Sequence, residues 1–230
     1  MPLANLKRFV PRSLKSRVNA YMAKRRLRAA ISKIRSLSVG QTPSRKLLTE
    51  LISGWNNEGF VANIDYLEEV ANRANSVTGP ILECGTGVTT ILLGLLGAKR
   101  SLTIWSLEHS HEWQQKITAW LKSNKIENVH VCFSPMKEYG EYDWYQPPLD
   151  QMPQHFALVI CDGPPGNTKG GRYGLLPLFG DRLSAESIIL LDDANRPDEK
   201  ALIERWKNEV NLSSEIIESA NHGYAVLRRL

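Results

Sequence analysis
Pro80 to Leu92 reads PILECGTGVTTIL, and this stretch decides the fold. Ile81 and Leu82 form an apolar run that ends in an acid, Glu83. Gly85 and Gly87 follow, and a second apolar run starts after them. The pattern predicts a buried strand, a tight glycine turn and the start of a helix. Glycine takes positive φ at little cost and lets a ligand approach the backbone closely. The helix beyond aims free N–H groups and the positive end of its dipole at that ligand. A strand, a glycine loop and a helix in this order mark a nucleotide-type cofactor site. A dinucleotide loop wants a small residue three positions after the second glycine. Thr90 stands there instead, and Glu83 would set a negative charge beside a pyrophosphate. The acid suits a ligand that carries an ammonium group.

At 230 residues the chain is long enough for one α/β domain and an appendage. Apolar content of 42% and charged content of 23% are those of an ordinary soluble protein. No apolar run approaches the ~20 residues of a membrane span. Cys84, Cys132 and Cys161 have no metal spacing, and each falls in or beside an apolar run. Buried free thiols suit a reducing compartment.

The net charge of +5 hides an asymmetry. Residues 1–36 hold eleven Lys or Arg and no acid, so the remainder carries 18 basic and 24 acidic groups. In this arm Leu3, Leu6, Val10, Leu14, Val18, Tyr21, Leu27, Ile31 and Ile34 recur at three-to-four spacing, with Arg and Lys between them. One or two amphipathic helices over about residues 12–36 follow, after Pro11. Residues 1–40 then form a basic helical arm and residues 41–230 the domain. Four readings of the arm stay open: docking on an anionic membrane surface, a grip on RNA phosphates, a mitochondrial transit peptide, or a helix packed on the domain. The protein is expected to be cytoplasmic and membrane-associated if the first holds, or in the mitochondrial matrix if the third does.

Helices are expected at 44–54 and 63–75, with a turn from Trp55 to Gly59 between them. After a helix at 88–98, Leu102 to Leu107 reads as a second strand ending in Glu108. His111 to Ser123 reads as a helix whose Trp113, Ile117, Trp120 and Leu121 face the core, and Val129 to Phe133 as a third strand. Residues 136–154 read as a long loop rich in aromatics, with Tyr139, Tyr142, Trp144 and Tyr145 either walling an acceptor or pinning the loop. Phe156 to Cys161 reads as a strand ending in Asp162-Gly-Pro-Pro-Gly166, and a helix is expected from Leu175 to Leu183. Ser187 to Leu191 reads as a strand ending in Asp192, Asp193, Ala194, Asn195 and Arg196. Ligands in open α/β sheets bind at the carboxyl ends of strands, so acids at two strand ends point at one crevice. A helix at 197–210 and a hairpin of two short strands, 215–218 and 224–228, around Asn221, His222 and Gly223 close the chain.

Glu83-x-Gly85-x-Gly87 at the end of a first strand resembles motif I of the class I S-adenosylmethionine-dependent methyltransferases. The likeness extends over about residues 60–230 of the sequence. It implies a three-layer, Rossmann-like α/β fold with a seven-stranded sheet, mostly parallel, whose last strand is antiparallel. It implies S-adenosylmethionine as cofactor, held by Glu83, Gly85, Gly87, Glu108 and Ser134. Glu108 would take the ribose hydroxyls, since a carboxylate accepts two at once; Ser134 falls where this family contacts adenine. DGPPG with Gly171-Arg172-Tyr173, and then LLDDANR, is similar to bacterial glycan-associated methyltransferases and to the catechol and caffeoyl O-methyltransferases.

These residues imply methyl transfer to a hydroxyl on a sugar, a glycan or another small molecule. Asp162 and Asp193 are the candidate bases, with His109 and His111 behind them, because a hydroxyl needs a base within hydrogen-bond reach. Arg172 and Tyr173 are the candidate acceptor-binding residues. The catechol-type enzymes hold a divalent metal with an acid after strand four and an Asp-Asn pair after strand five. Ala194 stands in place of that Asn, and Asn195 is next to it, which leaves the metal open and names no ligand for it. DGPP lacks the aromatic that follows the prolines in adenine-specific amino-methyltransferases, which argues against a base-flipping DNA enzyme. An RNA methyltransferase using the arm, and an inactive membrane-docking protein of the same fold, are the alternatives.

Overall fold
The computed structural model describes residues 12–55, 63–219 and 223–230. Leu3, Leu6 and Val10 of the arm, the turn after Trp55 as far as Gly59, and Asn221 and His222 of the terminal hairpin lie outside these.

Seven strands form one sheet: β1 (Ile81–Cys84), β2 (Ile104–Glu108), β3 (Val129–Phe133), β6 (Leu158–Cys161), β7 (Ile188–Asp192), β8 (Leu212–Ile217) and β9 (Tyr224–Arg229). Their order across the sheet is β3-β2-β1-β6-β7-β9-β8. Strands β1, β2, β3, β6 and β7 run parallel, and β9 enters antiparallel between β7 and β8. This is the Rossmann-like sheet with an antiparallel last strand that the motif order implied. Every residue of β1, β6 and β7 is buried, because the central strands of a parallel sheet are covered on both faces.

Among the described residues seven α-helices accompany the sheet: α1 (Arg12–Ser36), α2 (Arg45–Trp55), α3 (Ile64–Ser76), α4 (Val88–Ala98), α5 (His111–Ser123), α6 (Leu175–Phe179) and α7 (Pro197–Glu209). Leu27, Ala30, Ile31 and Ile34 of α1 join Leu48 and Leu51 of α2, Tyr66 to Ala74 of α3 and the apolar face of α4 in one core layer. The other layer gathers around Phe156, Phe179, Trp144 and Trp206. Helices α1 and α2 run antiparallel. Lys33 pairs with Glu50 at 2.8 Å, and Gly54 lies against the Leu27 backbone so closely that a side chain there would collide.

Several boundaries differ from the sequence reading. Strand β2 begins at Ile104, because Leu102 closes a turn onto Gly97 O at 3.0 Å. The helix expected to reach Leu183 stops at Phe179 and passes into a 3-10 turn, Gly180–Arg182. Residues 136–154 contain a hairpin, β4 (Met136–Glu138) with β5 (Asp143–Tyr145). Trp144 pins that hairpin to the body: it is fully buried and leaves room only for a glycine at Gly174.

Candidate active site
The carboxyl ends of β1, β2, β6 and β7 converge on a cavity of about 540 Å³. That lies within the range of small-molecule sites, roughly 300–1,000 Å³. The glycine loop forms its floor. Gly85 has φ +88°, a value costly for any other residue, and a Cβ there would stand 3.6 Å from Gly163 on the next strand end. Gly87 caps α4 and has open space where a Cβ would project.

Glu83 lies beneath this loop and not on the cavity wall. Its Oε1 accepts the Thr89 hydroxyl at 2.6 Å; its Oε2 accepts Thr90 at 2.8 Å and Ser106, its register partner on β2, at 2.6 Å. Thr90 Oγ1 in turn accepts the Gly87 N–H at 2.9 Å. Complete burial raises the Glu83 carboxyl to about 7, against the pull of the three hydroxyls. The expected contact between Glu83 and a ligand ammonium is therefore corrected: the acid is closed off from the cavity and braces the loop from behind. Thr90, which spoke against a dinucleotide, is the link in that brace.

Glu108 does line the cavity. Its Oε2 accepts the Thr86 hydroxyl at 2.6 Å and its Oε1 the Ser110 N–H at 2.8 Å, which leaves lone pairs on both oxygens. Ser134 is fully buried and is not brought to the cavity: its N–H bonds Glu108 O at 2.8 Å and its hydroxyl turns back to Cys132 O at 3.3 Å. The walls are aromatic. Trp113 is half-buried and donates Nε1–H to Thr86 O at 3.3 Å, with Trp55 edge-on to it at 6.1 Å. The expectation that Trp113 is a core residue is corrected accordingly. The Tyr145 hydroxyl sits against Gly163, where an added Cβ would strike it. Of the two histidines, His109 lines the cavity, while His111 packs edge-on to Phe133 at 5.0 Å.

Across from the glycine loop stand Asp162, Asp192 and Asp193, each offering a carboxylate oxygen within 4.8 Å of the others. Asp193 adopts left-handed backbone, φ +59°, a strain that clusters at functional positions. The Asp162 side chain is 38% exposed but sits in the recess, where desolvation raises its pKa; Arg172 opposes the shift and Asp193 adds to it. Burial, then Asp162 and Asp193, push Asp192 well above the ordinary carboxylate range, and its Oδ1 is buried without a partner.

Arg172 lies behind this cluster and is only 3% exposed. It donates to Asp192 O, to Asp193 Oδ2 at 3.0 Å and to Asp162 Oδ1 at 3.3 Å, and reaches Glu199 of α7 at 3.8 Å. Its expected role as a fork for the acceptor is corrected: every direction of the guanidinium that is bonded points at this protein. The arginine on the cavity wall is Arg196, paired with Asp193 Oδ2 at 3.0 Å. Tyr173 lies away from the cavity, its hydroxyl on Glu209 at 2.9 Å and its ring under Arg205 at 3.6 Å. Arg196 and Asp192 were given no role in the sequence reading, and of the four aromatics offered there as a wall or a pin Tyr145 is the one that lines the cavity. Asp192 and Arg196 stand within the strand-end run LLDDANR, whereas nothing local distinguishes Tyr145 from its aromatic neighbours.

The donor set does not fit a resident divalent ion. Both Asp193 and Asp162 already hold guanidinium groups, so a cation there would meet two positive charges. Asn195 does not take the place of the missing ligand, because its side chain is turned under Gly223. Full turnover in the presence of a strong chelator is the expected result; loss that magnesium restores would contradict it.

No protein-family model matches the chain, and no curated protein matches it. Solved structures do. The SAH-bound Podospora anserina methyltransferase PaMTH1 is 14% identical over 99% of this chain and 100% of its own, with a TM-score of 0.57. A Staphylococcus aureus protein assigned as a caffeoyl-CoA O-methyltransferase is 14% identical over 83% of this chain and 94% of its own, at 0.59. The METTL16 methyltransferase domain is 11% identical over 81% and 80%, at 0.54. The fold is that of the class I S-adenosylmethionine-dependent methyltransferases. At these identities the likeness is one of architecture, and the chemistry rests on the residues of this cavity.

Proposed function
We propose that the chain transfers a methyl group from S-adenosylmethionine to a hydroxyl of a sugar, a glycan or another small neutral molecule. The observation that carries this reading is the cavity itself: Glu108 and an open glycine loop on one side face three clustered acids on the other. Gly85, Gly87, the N-terminus of α4, Glu108, Trp113 and Tyr145 would hold the cofactor. When bound it supplies an electrophilic methyl group, so this chain has mainly to align the acceptor and exclude water.

The acids do the proton work. Asp162 is the base that reaches the cavity, Asp192 stands beside it, and Asp193 is held by Arg196 and Arg172. Asp162→Asn is expected to lower turnover by about 10²–10⁴-fold, the usual worth of a general base, while S-adenosylhomocysteine binding stays within a few-fold. Unchanged turnover with the proper acceptor would remove Asp162 from the reaction.

The first experiment is calorimetry of S-adenosylhomocysteine with the full chain beside Glu108→Ala. Losing two charge-assisted hydrogen bonds should weaken binding by about 10²-fold or more. Absence of binding by the unaltered chain would favour an inactive protein of this fold. An RNA acceptor is less well supported: the cavity wall carries Glu108 and three aspartates against one arginine, a poor match for phosphates.

A further inference from the structure
Helix α1 carries two apolar stripes on opposite faces. Ala23, Leu27, Ala30, Ile31 and Ile34 are buried against the body. Val18, Tyr21 and Met22 are 51%, 62% and 40% exposed. Tyr21 precedes Ala23 by two residues, which at 3.6 residues per turn places it about 200° round the helix. Val18, Tyr21, Met22 and Arg25 follow i, i+3, i+4, i+7 spacing and so share one outward face. Arg17, Lys24, Arg26 and Arg28 flank it, and all are exposed. None of these five cations forms an ion pair among the described residues, in contrast to Lys33 further along the helix.

The placement of this face adds to its composition. Helix α2 ends at Trp55 on the cavity wall, and its Gly54 lies level with Leu27 of α1. Residues 16 to 26 of α1 therefore overhang the end of α2, by about 16 Å at 1.5 Å per residue, at the cavity end of the molecule.

We infer that the outward face of α1 is a docking surface for an anionic lipid bilayer. Val18, Tyr21 and Met22 enter the headgroup boundary, and the arginines and lysine around them meet lipid phosphates and carboxylates. An exposed aliphatic pair, Val18 and Met22, on the same face as the cations suits a lipid surface better than a phosphate backbone, which is met by charge. The surface lies outside the cofactor site and is independent of the reaction assigned to it.

The test is flotation of the full chain with vesicles of phosphatidylcholine alone and with roughly a third phosphatidylserine. The chain should float with the anionic vesicles at low salt and not with the neutral ones. Val18→Gln, Tyr21→Gln and Met22→Gln together remove the apolar stripe without changing charge, and should lower the bound fraction about tenfold or more. Arg17→Gln, Arg25→Gln and Arg28→Gln should each lower binding about fivefold. All six positions are exposed, so an unchanged melting curve checks that the variants remain folded. The inference is overturned if the unaltered chain stays in the soluble fraction. It is also overturned if the apolar triple variant floats undiminished while single-stranded RNA displaces the chain, which would make the arm a phosphate grip. Conversion of a dimer to a monomer by the triple variant, without vesicle binding, would assign the face to a second copy.

Discussion

Arg172→Met is expected to destabilise the chain by about 3–5 kcal/mol, the usual cost of removing one partner from a buried ionic network. For a protein of this length that is a fall in Tm of roughly 10 °C. Methionine fills a similar volume, so a cavity is not the cause. The cause is what stays behind: the Asp192 carbonyl, the Asp162 and Asp193 carboxylates and Glu199 of α7 all lose one shared cation. The guanidinium ties α7 to the ends of the paired strands β6 and β7, and no hydrogen-bonded ladder joins that helix to them. Lysine keeps the charge but not the fork, and should recover only part of the loss. Adding Asp193→Asn to Arg172→Met should restore some stability, since one stranded charge is then removed. A methionine variant that melts within a degree or two of the parent would mean the acids relax onto water, and Arg172 would not be the joint.

The second large effect is one of pH. Glu83 has its carboxyl raised from 4.5 to about 7 by burial. An acid whose folded pKa exceeds its unfolded one favours folding at low pH. Its contribution is complete below about 4.5 and is lost as pH rises to about 7, beyond which nothing more is lost. The loss amounts to about 3 kcal/mol, from 1.36 kcal/mol per pH unit over that window. Glu83→Gln is uncharged throughout. Its carbonyl can take the Oε2 position that accepts both Thr90 and Ser106, with the amide facing Thr89. Urea unfolding of both chains from pH 4 to 8 should show the glutamine variant gaining on the parent by that amount as pH rises. A constant difference would mean that the three hydroxyls hold the carboxylate as well as water does.

The sheet was legible because its signals are local and repeated. Each parallel strand is a short apolar run, and four of the ends, Glu83, Glu108, Asp162 and Asp193, are acids where a buried strand meets a crevice. What was not legible is which way a side chain turns once two strand ends meet. Glu83 and Glu108 are both acids ending a strand; one is sealed by Thr89, Thr90 and Ser106, the other opens into the cavity. Arg172 and Arg196 are both arginines near the aspartates. Only the packing of α7 against β6 and β7 decides that the first is enclosed and the second lines the wall. Trp113 and Trp120 share a helix at core-like spacing, yet the first stands on the cavity wall beside the glycine loop, with its Nε1–H on Thr86 O. The two-sided apolar pattern of α1 blurred in the same way, because a single stripe was expected and two opposed ones are present.

The register of β1 against β6 sets Cys84 directly opposite Cys161, both fully buried at the centre of the sheet. Alkylation needs the thiolate as nucleophile, and burial holds the Cys84 pKa well above its usual value. Alkylation at this pair can proceed only when the two central strands part, so its rate is a clock for the opening of the sheet. Cys132, on β3 and half-exposed, is raised to about 11 and marks the edge instead. The chain thus carries its own pair of chemical reporters, one for the middle of the sheet and one for its rim. Slower labelling of Cys84 and Cys161 alone, on adding S-adenosylhomocysteine, would register ligand bound on the floor above them without any label being introduced.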